Sequence, residues 1–141
     1  MKNIVFVFIS AFVMNFIWEI SQAFLYAPHY VGIADFIVVH LIATVGDVVM
    51  LVIIFIITSL FYKRWNWVKE RKGDSYIIVA LLGFIFAVAI EKYALSAGRW
   101  AYNGLMPIVP IINVGVTPVL QLTIIASLLV FLVKRYASKR Q

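Results

Sequence analysis

Hydrophobic positions along the chain gather into four long, nearly unbroken runs, unlike the short amphipathic or alternating segments of soluble domains. The runs predict transmembrane helices at about 4–26, 33–61, 76–97 and 117–136. Each is long enough to cross a hydrocarbon core of about 30 Å at about 1.5 Å of rise per residue. The second run exceeds this length, so we expect it to tilt or to project beyond the bilayer. The predicted fold is an all-α, four-helix transmembrane bundle that forms one domain, residues 1–141.

The three connections between these helices differ in character. Residues 27–32 contain a proline and a glycine, which end the first helix. Residues 62–75 are basic, and we expect Tyr62, Trp65 and Trp67 to anchor this segment at the membrane interface. Residues 98–116 are apolar but contain three glycines and two prolines, so they cannot form a regular helix. Either this last segment lies along the interface, or it folds back as a lid over a pocket in the bundle.

The distribution of basic residues predicts how the helices are oriented. Ten of the twelve Lys and Arg residues lie where an even number of crossings places them on one side: Lys2, Lys63, Arg64, Lys69, Arg71, Lys72, Lys134, Arg135, Lys139 and Arg140. By the positive-inside rule both termini are then cytoplasmic, in the cell inner (plasma) membrane. The same charges favour anionic membrane lipids as partners, whereas no basic stripe is present to bind nucleic acid. A cleaved signal peptide is the alternative for the first run, but that run is long and contains Asn15 and Glu19.

Composition limits the chemistry that the chain can perform. It is 65% hydrophobic and 13% charged, with a mean hydropathy of +1.03, so lipid must be its solvent. The absence of cysteine excludes disulfides, thiolate zinc sites, iron–sulfur clusters and cysteine nucleophiles. Two histidines, with no Glu-x-x-His pair, do not match the known di-iron sites of membrane or bundle proteins. We therefore expect no metal and no cofactor.

Polar residues recur inside the predicted helices at steps of three or four, which places each set on one helix face. The sets are Asn15, Glu19, Gln22 and Tyr26 on the first helix; His40, Thr44 and Asp47 on the second; Lys92, Ser96 and Arg99, with Glu91 beside them, on the third; and Thr117 and Gln121 on the fourth. Glu19, His40 and Glu91 each lie roughly 10 Å below the same membrane surface, Gln121 a little shallower and Asp47 about twice as deep. Charged groups inside a bilayer are costly, so this shared layer predicts a functional site.

We assign roles to these residues by chemical type. The catalytic set is Glu19, His40 and Glu91: the two carboxyl groups would donate or accept protons, and His40 would relay them. Lys92 or Arg99 would keep a second carboxylate ionised. The expected substrate-binding residues are Asn15, Trp18, Gln22, Asp47, Lys92, Arg99, Trp100, Tyr102 and Gln121. The alternative is that the same side chains only join the helices by hydrogen bonds and ion pairs.

One stretch resembles a known group of proteins. An acidic helix end at Glu91 leads into Gly98-Arg-Trp100-Ala-Tyr102, and Val114-Gly115-Val116-Thr117-Pro118 then opens the next helix. Residues 91–118 thereby resemble membrane-embedded carotenoid-modifying proteins, the heterodimer-type lycopene cyclases and the carotenoid hydratases. Those cyclases carry acids directly after the proline, where this chain has Val119 and Leu120. The resemblance therefore implies an acid role for Glu91 alone. A different family of small membrane proteins is the alternative.

Three functions are consistent with these features. The first is a bilayer-embedded protein that binds an isoprenoid or other lipid-like molecule, or acts on it by acid–base chemistry. The second is a proton-coupled small-molecule transporter. Small multidrug transporters resemble this chain in length and in an intramembrane glutamate, here Glu19, but such a transporter would have to work as a homo-oligomer. The third is a non-catalytic membrane assembly subunit. The expected partners are membrane lipids and an apolar small molecule.

Overall fold

The computed structural model of the chain describes residues 2–70 and 73–138. Its helices are α1 (Lys2–Gln22), α2 (Gly32–Tyr62), the short α3 (Trp67–Glu70), α4 (Asp74–Ser96) and α5 (Val116–Ser138), and a two-stranded hairpin is formed by β1 (Ile108–Val109) and β2 (Val114–Gly115). The prediction of four helices long and apolar enough to cross a membrane is confirmed within these residues, by α1, α2, α4 and α5. Their ends agree closely with the predicted ones, except that α1 passes into a 3-10 turn at Ala23–Leu25.

Local backbone hydrogen bonds explain where α2 and α4 end. After α4, Gly98 adopts the left-handed conformation with φ +64°, which a residue with a side chain adopts at a cost. The Arg99 N–H then donates to the Ala94 carbonyl at 2.9 Å, and the Gly98 N–H donates to the Leu95 carbonyl at 3.2 Å. This is the Schellman arrangement, which satisfies carbonyls at the helix end and reverses the chain direction. Lys63, with φ 53°, ends α2 in the same way.

The four long helices surround a narrow apolar core. Helix α5 packs against both α4 and α1, α1 also packs against α2, and α2 contacts α4. In its most apolar stretch 44% of the α5 residues are buried, against 17% for α1, and α5 supplies more residues to the core than any other helix. Large apolar side chains remain exposed along the outside of all four helices. Such an outer surface is what a helix bundle presents to lipid.

Helices α4 and α5 approach each other most closely at Gly83. A Cβ atom added there would lie 2.8 Å from the Leu122 carbonyl oxygen and 3.0 Å from the Thr123 Cα atom. Small residues permit this kind of backbone contact, which is a major source of helix association in membranes. The contact determines how α5, and therefore Gln121, is placed relative to α4.

The two ends of the bundle differ in charge and structure. At the end that carries residues 63–70, here named the basic end, α3 packs onto the bundle and Trp67 is only 1% exposed. The Trp67 indole N–H donates to Ser59 Oγ at 3.0 Å. Trp67 therefore belongs to the core and not to the interface, where the sequence placed it, whereas Trp65 is exposed. The Arg71 and Lys72 positions lie outside the described residues.

At the opposite end, here named the hairpin end, the segment after α4 folds back onto the bundle. The Ala27 N–H donates to the Ala101 carbonyl at 2.9 Å, and the Asn103 N–H donates to the Leu25 carbonyl at 3.0 Å. Farther along, β1 pairs with β2 in antiparallel register, and Met106 and Val114 are buried. Residues 98–116, here named the covering segment, thus cover the end of the bundle, directly above the polar side chains inside it.

Candidate functional site

The side-chain amide of Gln121 connects three helices. Its Nε2 donates to Asp47 Oδ2 on α2 at 2.7 Å and to Asn15 Oδ1 on α1 at 3.1 Å. Its Oε1 accepts a hydrogen bond from Gln22 Nε2 at 2.8 Å. Gln22 Nε2 also donates to Glu19 Oε1 at 2.9 Å. We name these five residues, Asn15, Glu19, Gln22, Asp47 and Gln121, the polar cluster.

Two carboxyl groups meet in the polar cluster. Glu19 and Asp47 lie within electrostatic range of each other. Glu91 lies within electrostatic range of both. The bundle therefore holds three acids close together.

The amide groups of the cluster are almost fully satisfied, with one exception. Asn15 is completely buried, and its Nδ2 donates to the Ala11 carbonyl at 2.8 Å. Gln22 is 4% exposed, and its Oε1 is the one buried side-chain nitrogen or oxygen without a hydrogen-bond partner among the side chains that the structure describes, those of residues 5–69 and 73–136. Rotating this amide by 180° would turn Oε1 toward the acceptor oxygens of Glu19 and Gln121, so the orientation is determined by its neighbours. Buried acceptors are rarely left unpaired, so this oxygen is the unsatisfied group of the polar cluster.

Glu91 is contacted by aromatic residues of the covering segment. The Tyr102 hydroxyl donates to Glu91 Oε2, and the Trp100 indole N–H donates to the same oxygen at 3.4 Å. The Tyr102 oxygen in turn accepts a hydrogen bond from the Gly115 N–H at 2.8 Å. Burial raises the pKa of Tyr102, and its hydrogen bond to Glu91 raises that pKa further. Tyr102 is therefore a protonated donor that connects the covering segment to α4.

Tyr26 extends the aromatic surface beside these acids. Its ring lies 5.5 Å from that of Tyr102 and meets that of Trp100 edge-on at 6.5 Å. Burial raises the pKa of Tyr26, and the nearby charges of Glu91 and Glu19 raise it further. The sequence placed Tyr26 on the same stripe as Glu19, but did not include it among the site residues. Its step of seven residues from Glu19 was the signal that could have done so.

His40 lies at the edge of this arrangement. Its Nδ1 is 2.7 Å from the Phe36 carbonyl oxygen, and because that oxygen can only accept, Nδ1 carries a proton. In the neutral ring Nε2 is then the unprotonated nitrogen. The ring packs 4.3 Å from that of Phe36, and His40 interacts electrostatically with Glu19. It is thus close to one acid of the predicted catalytic set.

The two basic residues of the predicted site are not part of the arrangement. Lys92 and Arg99 are exposed, and Glu91 receives its hydrogen bonds from Trp100 and Tyr102 instead. The reason is helix geometry: Lys92 is about 100° further round α4 than Glu91, so it faces outward when Glu91 faces inward. Among the described residues no Lys or Arg contacts the polar cluster, so the expected ion pair is corrected to a set of neutral donors.

Of the twelve predicted site residues, the structure therefore assembles eight. Asn15, Glu19, Gln22, Asp47 and Gln121 form the polar cluster, and Glu91, Trp100 and Tyr102 lie beside it. His40 is adjacent, while Trp18 is half-buried against the apolar core. No group of three or more His, Cys, Asp or Glu side chains in the described part of the chain is arranged to hold a metal ion.

A cavity of about 410 Å³ occupies the opposite, basic end of the bundle. It lies between α1, α2 and α5, Val79 of α4 also lines it, and residues 65–69 form its floor. Its upper wall includes Ala11 and Val48, so it begins below Asn15 and Asp47 and is separate from the polar cluster. The sequence signal for it was weak: small residues, Ala11 and Ala126, lie on helices that pack together.

These observations establish a multi-helix architecture suited to a membrane, with interior acids at one end and an apolar cavity at the other. No protein-family model, curated protein or solved structure matches the chain, so the resemblance of residues 91–118 to carotenoid-modifying proteins stays a prediction.

Proposed function

We propose that the protein is a multi-pass protein of the plasma membrane, with cytoplasmic termini, that binds an isoprenoid or lipid-like molecule and acts on it by acid–base chemistry. The observation that carries the proposal is the meeting of Glu19, Asp47 and Glu91 in the bundle interior with no Lys or Arg of the described chain among them. Ionisable groups at such depth are costly, and their retention is typical of functional sites.

Proton transfer is the chemistry that these groups support. Glu19 and Asp47 lie within electrostatic range of each other, and Glu91 accepts a hydrogen bond from a phenol that stays protonated. A carboxylic acid placed beside a carbon–carbon double bond can add its proton to one carbon and leave a cation on the other. A neighbouring carboxylate can then remove a proton from an adjacent carbon, which restores a double bond. In this proposal Glu91 and Glu19 exchange these protons, and His40 Nε2 relays them.

The surroundings suit a cationic intermediate. Tyr26, Trp100 and Tyr102 present aromatic rings next to the acids, and aromatic faces attract positive charge. The covering segment closes this end of the bundle, which limits access of water to a reactive cation. An apolar substrate reaches such a site from the bilayer, where it is already dissolved.

Gln22 Oε1 adds a specific feature to the proposed ligand. This buried oxygen has no donor, because the nitrogen of the same amide, and not the oxygen, faces the acceptors of Glu19 and Gln121. A ligand hydroxyl would supply the missing donor, so an isoprenoid or lipid-like alcohol suits the site better than a pure hydrocarbon.

An assembly role is the second candidate, and one observation favours it. Gln121 joins α1, α2 and α5 by itself, and the cluster is otherwise internally satisfied. Interhelical hydrogen bonds of this kind contribute about 0.6 kcal/mol on average, so a purely structural cluster would tolerate the loss of single charges.

The test is to identify what the protein retains. We would purify the protein in mild detergent, extract it with organic solvent and analyse the extract by mass spectrometry and visible absorption, because a polyene is coloured. The expected result is an isoprenoid or lipid-like molecule with the wild type, and loss or a chemically different form of it with Glu19→Gln and Glu91→Gln. Asp35→Asn is the matched control, since Asp35 is an exposed acid whose contact is the Val31 N–H. If both Gln variants yield the wild-type extract, or the wild type carries only bulk phospholipid, the proposal fails.

A further inference from the structure

We propose that the cavity at the basic end binds one acyl chain of an anionic membrane lipid, whose phosphate is held by Lys69. This site is separate from the polar cluster, and its test is independent of the function proposed above.

The cavity walls are suited to hydrocarbon. All lining residues are apolar apart from Asn66 and Lys69, which both belong to its floor. Along α2 the lining runs from Val48 to Phe55, which corresponds to about 10 Å of helix axis. Cavities of this volume and polarity bind apolar ligands and exclude water.

The cavity is closed toward the bundle interior and open toward the surrounding lipid. Ile54 and Val79 are each 2% exposed and form part of the inner wall. Phe8, Phe55 and Trp65 line the same cavity but are exposed on the outside of the bundle. A lipid chain can therefore enter sideways from the bilayer without leaving an apolar environment.

The floor of the cavity is held in place by the core. Trp67 lines the cavity, is almost completely buried and donates to Ser59 Oγ on α2 at 3.0 Å. Its ring also packs 5.6 Å from that of Phe55 and 6.0 Å from that of Tyr62. These contacts attach Trp67 to α2. Because Lys69 is only two residues farther along the chain, it lies at a defined place beside the opening of the cavity.

Charge selects an anionic lipid. Lys69 is exposed and lines the cavity, Lys63 is exposed in the same connection, and among the side chains that the structure describes no acidic one lines the cavity. A lysine beside the membrane surface attracts anionic lipid by about 1 kcal/mol. Lysine is also a common ligand for phosphate oxygens. A free phosphate would use Lys69 but leave the apolar walls without a partner, whereas a phospholipid uses both.

The experiment measures tryptophan quenching by lipids with brominated acyl chains. In a Trp18→Phe/Trp100→Phe background the remaining tryptophans are Trp65 and Trp67, which both line the cavity. This protein is reconstituted in nanodiscs of unlabelled phosphatidylcholine with a small, equal fraction of brominated phosphatidylglycerol or brominated phosphatidylcholine. The expected result is stronger quenching by the phosphatidylglycerol, with about a 5-fold preference, the equivalent of about 1 kcal/mol.

Two variants test the binding of the acyl chain and the binding of the lipid headgroup separately. Ala126→Phe, which fills the cavity, should strongly reduce quenching by both lipids, and Lys69→Gln should remove the preference while leaving chain quenching in place. Ala34→Phe and Arg135→Gln are the matched controls, because both positions are exposed and neither lines the cavity.

Ala11→Leu fills the cavity from α1 and replaces Ala126→Phe if that variant does not fold. Equal quenching by the two lipids in the unmodified cavity would overturn the anionic assignment, and undiminished quenching in the filled cavity would overturn chain binding.

Discussion

At the residue scale, the most informative side chain is the amide of Gln121. An amide can donate and accept at once, so one residue satisfies an acid on α2 and two amides on α1. A hydroxyl is too short, and a carboxylate cannot donate to Asp47 or Asn15. Residue type and position together therefore explain why the interior acids are tolerated with no Lys or Arg beside them in the described part of the chain.

Replacing Gln121 by Leu should lower the free energy of unfolding by about 1–3 kcal/mol, because Asp47 and Gln22 would each lose a buried hydrogen bond. The measurement is thermal unfolding in detergent, followed by circular dichroism. Thr123→Val is the control on the same helix, since Thr123 Oγ1 only donates to the Val119 carbonyl within α5. If the two variants lose equal stability, Gln121 does not join the helices in the way described.

At the element scale, the helix interfaces determine which polar faces meet. The α4–α5 contact at Gly83 places two helix backbones against each other, and this fixes the depth and rotation of α5. The hydrogen bonds of residues 97–103 then bring Tyr102 over Glu91. A site assembled from four helices and a covering segment thus depends on contacts made by residues outside it.

Gly83→Ala should destabilise the protein by about 1–3 kcal/mol, because the new methyl group would overlap the Leu122 carbonyl and force the helices apart. The same exchange at Gly46, where a Cβ atom meets nothing within 4 Å, should be neutral or stabilising, since alanine favours helix over glycine. The measurement is the thermal unfolding of Gly83→Ala and Gly46→Ala under the same conditions. A stable Gly83→Ala variant would show that α4 and α5 are less closely packed than the structure indicates.

At the scale of the whole molecule, the two ends are chemically distinct. The hairpin end is covered by an apolar segment and holds the acids, whereas the basic end holds the cavity and the cationic connection. An asymmetric charge distribution of this kind predicts a single orientation in the membrane, with the basic end toward the cytoplasm. Protons and ligands would then reach the acids from the outer half of the bilayer.

The chain has no cysteine, so this orientation can be measured directly. In intact cells a membrane-impermeant maleimide should label Ile111→Cys, a residue 94% exposed at the hairpin end, and should not label Lys63→Cys at the basic end. Permeabilised cells serve as the control, since both variants should then react, while the cysteine-free parent stays unlabelled. Labelling of Lys63→Cys in intact cells would reverse the proposed topology.

Particular residues show which parts of the site could be predicted from the sequence. The stripe that links Asn15, Glu19 and Gln22 was visible as steps of four and three, and the structure places these side chains together. Lys92 was misassigned because its spacing to Arg99 suggested an inward face, while Glu91 one position earlier is the residue that faces inward. Trp67 was misassigned because tryptophan in a basic connection is more often interfacial, and nothing local reveals that Ser59 accepts its N–H.

The apolar runs alone predict the number, length and approximate ends of the helices that are long and apolar enough to cross a membrane, because a backbone in lipid must satisfy its hydrogen bonds internally and an apolar run of sufficient length leaves few alternatives. The sequence also determined which polar residues share a helix face. Only the folded chain shows the rotation of one helix against another, the hydrogen bond from Tyr102 to Glu91 and the cavity above α3. These depend on contacts between residues distant in the chain, such as Gly83 with Leu122 and Gln22 with Gln121, which no local pattern encodes.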